Sequence, residues 1–381
     1  MSNYLTWIEI NKNAFKDNVS QFKNLLGKNI KLLSVIKSNA YGHGLLPISK
    51  IIKETNIDFL GVISIEEAIF LKKQKIKKPI LIMGYVPFNY LEEIVKNNFR
   101  ITVYNQETIE KLSYFSEKLS KKSYLHLKLE TGTYRQGILK KNLPSILNFI
   151  KKNPLLQLEG ISTHFANIED TTNHIYAKFQ LNNFLKMSNE IEIFGLNPIY
   201  KHTTCSAATI LFPETYFNLV RIGISLYGLW PSKEIYISYI DKNPKNHLEL
   251  KPILTWKTKI AQIKEVPKNS FIGYGCTYKT TSKIKIAILP IGYYDGYPRN
   301  LSNIGYVLVK GKRCPIRGRI CMNIMIIDIT NVKNVKIEDE VVLIGNQKEE
   351  KITAEQLASL SGTISYEIIS RIPEHIPRII N

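Results

Sequence analysis

KLLSVIKSNAYGHG, residues 31–44, is a short apolar run that stops on a lysine and opens into a polar, glycine-punctuated segment. Leu32, Leu33, Val35 and Ile36 make a run of strand length, too short for a helix, and Lys37 closes it. The same design recurs along the chain. FLGVIS (59–64), PILIMG (79–84), ITVY (101–104), YLHLKLE (124–130), LEGISTHF (158–165), YKHTTC (200–205) and VRIGISLYG (220–228) are further strand candidates. They are rich in Val, Ile and Leu, and amphipathic stretches separate them. One is signed clearly: Ser64 caps IEEAIFLKK, with Glu66 and Glu67 in the first turn and lysines at the end. Eight strands interleaved with helices is the count of a (β/α)8 barrel.

Upstream, Phe15, Val19, Phe22 and Leu25 recur at helical spacing, and Gly27 suits the residue after a helix end. YLTWIEI (4–10) alternates as a strand and is expected to pair outside the barrel, with the later β strands. Downstream, residues 232–252 are polar and read as a linker. Beyond it come TWKTKIAQIKEV, KIKIAILPI, GYVLVKG, CPIRGRICMNIMIIDI and DEVVLIG, all strand-like. One helix is marked by Thr353 and Gln356 at capping-box spacing and runs to Gly362. The expected architecture is α/β: an N-terminal (β/α)8 TIM-like barrel over 1–236, then a mostly-β C-terminal domain over 237–381.

Composition narrows the class. With 44% hydrophobic and 22% charged residues, the chain is of globular rather than disordered type. The net charge of +20 is scattered among Ile and Asn and forms no basic stripe with interleaved aromatics, which argues against nucleic acid. The four cysteines show no C-x-x-C pairing, against both a disulfide framework and a zinc site, so no metal is expected. The N-terminus carries no signal-peptide pattern, and no apolar run is long enough to span a bilayer, so a cytoplasmic protein is expected.

A barrel of this kind does its chemistry at the C-terminal ends of its strands. Lys37 ends the first strand. The fifth carries Lys128, with Arg135 in the loop beyond it, and the sixth carries His164. The seventh leads to Ser206, and the eighth begins with Arg221 before Gly223 and Ile224. A lysine at the end of an apolar strand is partly desolvated, so its amine is poised to form a Schiff base with an aldehyde. Barrel phosphate sites commonly use the loops after strands seven and eight, here Ser206 and the Gly223–Ile224 backbone. A lysine, a phosphate cup and an arginine facing a ring together fit pyridoxal 5′-phosphate. Taken singly, each also has a structural reading: a solvated lysine, a satisfied core histidine, a turn serine, an ion-paired arginine. The case rests on their joint placement.

These segments resemble those of the alanine racemases, fold-type III pyridoxal-phosphate enzymes. VIKSNAYGHG (35–44) is similar to the family's cofactor-lysine signature. HLKLETGTYRQG (126–137), EGISTHFA (159–166), HTTCSAA (202–208), VRIGISLYG (220–228), GYGCTY (273–278), LPIGYYDGY (289–297), GRICMN (318–323) and ISYEI (364–368) follow in the family's order. The resemblance runs from about Trp7 to Arg378.

It implies racemisation of L- and D-alanine by two bases: Lys37, which holds the cofactor, and Tyr274, supplied by the partner subunit of a head-to-tail homodimer. Two bases on opposite faces of a planar intermediate are what removing a proton from one side and returning it on the other requires. A free tyrosine ionises near about pH 10, and nearby positive charge lowers that. The family's chain of Tyr274, His164 and Arg221 is expected to supply it. The resemblance places Arg221 at the cofactor's pyridine nitrogen. It gives the phosphate to Tyr41, Ser206, the amides of Gly223 and Ile224, and Tyr366. Arg135 is assigned to the phenolic oxygen and the substrate carboxylate, and the Met322 amide, supplied like Tyr274 by the partner subunit, to that carboxylate. Tyr293 with Tyr366 forms an inner gate, and Arg299 and Arg319 line the approach. In some members the equivalent of Lys128 is carbamylated and positions the arginine that Arg135 matches.

Departures from the family pattern are Asn323 for the common Asp, Cys205 for Asn before Ser206, and Thr133-Tyr134 for Met-Gly before Arg135. None removes a reacting group. The alternative is a broader amino-acid racemase, for instance on serine; the narrow tyrosine gate argues against it. A decarboxylase of the same fold type would want an acidic partner at the ring nitrogen, where Arg221 stands. The product D-alanine would feed peptidoglycan synthesis.

Overall fold

The structure, a computed structural model, describes residues 3–245 and 247–381. It divides into two compact units. One comprises residues up to Ala14, Asn39–Ile48 and Pro252–Asn381; the other comprises Phe15–Ser38 and Ser49–Lys251. The chain starts with β1 (Thr6–Ile10) and the helix Lys12–Leu26, which ends at Gly27 in the left-handed region, φ 72°. A glycine there carries no Cβ penalty, which is why it stops the helix.

The larger unit is an eight-stranded parallel sheet. Its strands are β2 (Lys31–Val35), β3 (Phe59–Val62), β4 (Ile80–Ile82), β5 (Arg100–Val103), β6 (Ser123–Lys128), β7 (Leu156–Ser162), β8 (Tyr200–His202) and β9 (Leu219–Ile222). Their order is β8-β7-β6-β5-β4-β3-β2-β9, all parallel, with helices between. This is the expected TIM-like barrel. Leu32, Leu33, Leu60, Leu81, Leu125, Leu127, Ile161 and Val220 are buried in it. The seam between β8 and β9 is closed by side chains. Asn218 Oδ1 accepts from the Lys201 amide at 2.9 Å, and Arg221 donates to the carbonyls of His202 (2.6 Å) and Thr203 (2.9 Å). Ser64 caps Ile65–Lys73 as read, accepting from the Glu67 amide.

The smaller unit is mostly β. Its strands are β10 (Leu254–Lys259), β11 (Gln262–Val266), β12 (Phe271–Ile272), β13 (Tyr278–Lys279), β14 (Ile284–Leu289), β15 (Tyr306–Val309), β16 (Lys312–Pro315), β17 (Met325–Asp328), β18 (Glu340–Gln347), β19 (Glu350–Ile352) and β20 (Arg378–Ile380). One sheet runs β16-β15-β18-β10-β1-β20, with β19 on β18; another runs β11-β14-β17. β1 thus pairs with β10 and β20, outside the barrel, as its alternation suggested. The capping box at Thr353 is formed, and Gly362 closes that helix at φ 67°.

Four details differ from the sequence reading. The supposed linker contains the helix Lys233–Lys242, capped by Ser232, with Ile235 and Tyr239 buried and Trp230 packed on Tyr236 and Tyr239. Asn18 bonds the Leu226 and Lys251 carbonyls, so this stretch belongs with the barrel, and the units part after Lys251 rather than after residue 236. TWKTKIAQIKEV is two strands, because the chain changes sheets: Ile260 N donates to Asp339 and the next amide, Ala261 N, to Ile288. In 314–329 only the two ends are strand, and 316–324 is loop. Barrel strands also stop earlier than read, so His164 lies two residues past β7, Cys205 three past β8, and Arg221 is third in β9.

Candidate active site

The end of β2 is braced on both sides. Ile36 N donates to Gly61 O at 2.8 Å, and Tyr227 OH donates to Val35 O at 3.0 Å. Lys37 follows, half-buried. Burial and the Arg135 guanidinium hold its amine below the ordinary 10.5, with Glu67 opposing them. Among the described residues no carboxylate pairs with it. Such an amine yields its proton readily, which a nucleophilic lysine needs.

The next four residues, Ser38, Asn39, Ala40 and Tyr41, all have φ between 53° and 55°. A left-handed turn of non-glycine residues costs about 1–2 kcal/mol per residue. It is held by Gly44 N to Asn39 O (2.9 Å), Leu45 N to Asn39 Oδ1 (2.6 Å) and Arg378, which donates to Gly42 O (2.9 Å). Strain maintained this way is a mark of a working site. Tyr41 ends the turn with its ring 6.2 Å from that of Tyr366.

Around Lys37 the barrel is cationic. Lys128, the last residue of β6, is pushed down to about 8 by burial first and then by Arg135, Arg221 and Lys37, with Glu130 opposing. Its Nζ donates to Gln136 Oε1 at 3.4 Å. Burial, Arg221, Arg135 and the two lysines hold His164 down to about 3, so its imidazole is neutral across the physiological range. Arg135 is exposed in the loop after β6. Beyond β9, the neighbour of β2, the Gly223 amide donates to Ser206 Oγ at 3.1 Å. Ser206 opens the helix Ser206–Leu211, and Gly223 caps the turn Ile224–Tyr227. First-turn amides have no intrahelical acceptor. Two such ends tied together make a cradle for an anion, which fits a phosphate group.

Arg221 is buried and spends four donors on its surroundings: Nη1 on His202 Nδ1 (2.7 Å) and His202 O, Nη2 on Thr163 O (2.8 Å) and Thr203 O. Its imidazole partner is therefore His202, a residue the sequence reading quoted but gave no role. His202 leads on to His126 and Glu159, also unassigned. The available signal was polar residues inside apolar strands.

In the smaller unit, Tyr274, Tyr293, Arg299, Arg319, Cys321, Met322 and Asn323 line an open cavity of about 440 Å³. Tyr274 is 74% exposed and Met322 54%. Gly275 (φ 72°) lies against the Arg319 guanidinium, where an added Cβ would come within 2.8 Å of Nη1. Gly292 presses on the 321–322 backbone; a Cβ there would sit 2.1 Å from Cys321 O. Tyr293 N and Tyr294 N donate to the Cys321 and Met322 carbonyls at 3.1 and 2.9 Å, fixing Tyr293 beside Met322. The expected residues thus fall in two groups. Lys37, Lys128, Arg135, His164, Ser206, Arg221, Gly223 and Ile224 belong to the larger unit, and Tyr41, Tyr274, Tyr293, Met322 and Tyr366 to the smaller.

A barrel carrying an unpaired lysine, cationic companions and an anion cradle at its strand ends, together with a β unit, defines an enzyme class. Family models for the alanine racemase N-terminal domain and C-terminal domain match residues 10–231 and 253–380. The chain belongs to the alanine racemase family, isomerases that act on alanine. It is 42% identical to the alanine racemase of Leptospira interrogans, over 99% of this chain and 96% of that protein. It is 39% identical to that of Halothermothrix orenii, over 98% and 96%. Among solved structures, alanine racemase from Clostridium difficile 630 superposes with TM-score 0.92 at 36% identity, covering 100% of this chain and 97% of that one. The Bacillus anthracis alanine racemase with bound L-Ala-P gives 0.91 at 36% identity, covering 100% and 96%. No helix among the described residues is long and apolar enough to cross a membrane.

Proposed function

We propose that this enzyme interconverts L- and D-alanine with pyridoxal 5′-phosphate held on Lys37, using Lys37 and Tyr274 of the partner subunit as the two proton-handling groups. The observation that carries this reading is the Lys37 amine: half-buried, without a carboxylate partner and held low by burial and Arg135. The bound cofactor supplies an electron sink that makes the alanine Cα–H acidic. Everything else falls to the protein. Ser206, the Gly223 and Ile224 amides, Tyr41 and Tyr366 hold the phosphate. Arg221 would face the ring nitrogen and, as a guanidinium, would keep it unprotonated. Arg135 and the Met322 amide bind the substrate carboxylate, and Tyr293 with Tyr366 narrows the approach to a methyl side chain.

Lys37 takes or returns a proton on one face of Cα and Tyr274 on the other. His164, held neutral by burial and the surrounding cations, would orient Tyr274 without adding charge, while Arg221 gives its Nη donors to His202, Thr163 and Thr203 instead. Tyr274 and Met322 are exposed in their own unit, which suits residues given to a second subunit of a head-to-tail homodimer. Lys128 suits carbamylation: only a neutral amine takes up CO₂, and a pKa of about 8 leaves roughly a tenth neutral at pH 7. D-alanine made in the cytoplasm would supply the synthesis of cell-wall peptidoglycan.

The test is a racemisation assay on the cofactor-loaded enzyme with L-alanine and L-serine side by side, against Lys37→Ala and Tyr274→Phe. D-alanine formation abolished in the first and crippled in the second supports the reading. Racemisation of neither amino acid by the wild type overturns it, and preference for serine overturns the substrate.

A further inference from the structure

The larger unit contains a chain of buried polar groups that the proposed reaction does not use. From Arg221 Nη1 it runs to His202 Nδ1 (2.7 Å), from His202 Nε2 to His126 Nδ1 (2.9 Å), and from His126 Nε2 to Glu159 Oε2 (3.1 Å). Arg100 then grips Glu159 with two bonds of 3.0 Å and lies 4.5 Å over the Tyr124 ring. His126 and His202 are fully buried, and Glu159 is 6% exposed. The local structure is built around this chain. Between Leu125 and His126 the β6–β7 register shifts, leaving Glu159 as the extra, bulged residue. Gly160 follows, and a Cβ on it would sit 2.4 Å from His126 Nδ1, so only glycine leaves room for the imidazole. The Tyr200 ring lies 11° from parallel to that imidazole, centroids 6.2 Å apart.

The direction of every bond is determined. A guanidinium only donates and a carboxylate only accepts. His202 Nδ1 must therefore accept, leaving its hydrogen on Nε2 to be donated to His126 Nδ1. His126 in turn carries its hydrogen on Nε2, facing Glu159. A second proton on either ring would put two donors face to face. Burial first, then Arg221, hold His202 below its ordinary 6.5; burial, Arg100 and Arg221 hold His126 below it against Glu159, consistent with this pattern.

We propose that His202, His126, Glu159 and Arg100 are positioning residues for Arg221, forming a one-way hydrogen-bond wire that fixes its guanidinium without neutralising it. Two neutral rings separate Arg221 from the carboxylate, so the guanidinium gains an acceptor but no ion-pair partner. With Nη1 and Nη2 committed, Nε is its one donor left over among the described residues. The wire stands on geometry; its consequence for the cofactor ring rests on the function proposed above.

Two measurements on the cofactor-loaded enzyme test it. Neutron diffraction from a deuterium-exchanged crystal should show deuterium on Nε2 and none on Nδ1 of both histidines. Deuterium on Nδ1 of either ring overturns the wire. Glu159→Gln, with Arg100→Lys as the second variant should the first not fold, should lower kcat about tenfold, the loss of one hydrogen bond to a charged group. KM for alanine should stay within about twofold, and the visible absorption band of the bound cofactor should move. Reduced thermal stability with kcat and the band unchanged overturns the positioning role. A wild type that racemises nothing would sink the proposed function while leaving the neutron result standing.

Discussion

The two groups of functional residues are held in opposite ways. In the barrel, Arg221, His202 and the Ser206–Gly223 pair are buried or tied by hydrogen bonds within the chain. In the β unit, Tyr274 and Met322 stand exposed, and what fixes them is close packing at glycines: Gly292 against the Cys321 backbone, Gly275 against the Arg319 guanidinium. A side chain embedded in its own core is ready to act on a ligand of its own barrel. One that stands out from its own surface, braced from behind, is shaped for use elsewhere. That contrast supports the division of labour proposed here, with Lys37 serving its own subunit and Tyr274 the partner's.

The strongest way to break the contrast is at its two ends. Lys37→Ala should abolish racemisation, and Tyr274→Phe should lower kcat by about 10²–10⁴-fold, the usual contribution of a positioned acid or base. Equal and slight effects of the two would dissolve it. On the barrel side, Gly160→Ala forces a methyl into the His126 ring. It should cost about 1–3 kcal/mol of stability, as overpacking does, read by thermal or denaturant unfolding. On the β side, Thr353→Ala removes only a part-buried helix cap. It should cost about 1 kcal/mol and leave kcat unchanged.

A pH test follows from Lys128 as the free amine, in buffer stripped of CO₂ so that no carbamate forms. Its folded pKa, about 8, lies below the ordinary 10.5. Between those values the unfolded chain binds more protons, so stability from this group rises with pH there, and its burial penalty is fully present below about pH 8. Lys128→Met should therefore raise the melting temperature at pH 7, with the gain shrinking towards pH 10. A constant gain would mean that the lysine is not the titrating group.

How much of this was legible in the sequence follows the same line. The eight strands, the cap at Ser64 and the box at Thr353 were readable because each is a local pattern. Lys37 was readable because it closes an apolar run; Arg221 stands out as a charge inside one, third in β9. The wire was not, since His126, Glu159 and His202 lie up to 76 residues apart and meet only when the barrel closes. The break at Ile260–Ala261 was hidden for a related reason. Alternation continues through it, and only the identity of the partner strand changes. The helix 233–242 was obscured by the polar residues that follow it and by Tyr236 and Ile237 on its exposed face, which blur its amphipathic pattern.

The central claim is that each active site takes Lys37 from one subunit and Tyr274 from the other, and complementation tests it most directly. Purified Lys37→Ala and Tyr274→Phe proteins, each nearly inactive, would be mixed, dissociated and reassociated, and D-alanine formation measured. Half of the randomly formed dimers are then mixed and hold one whole site of two, so about a quarter of the wild-type activity should return. Activity no higher than the sum of the two variants would contradict the account and place both residues in the same subunit's site.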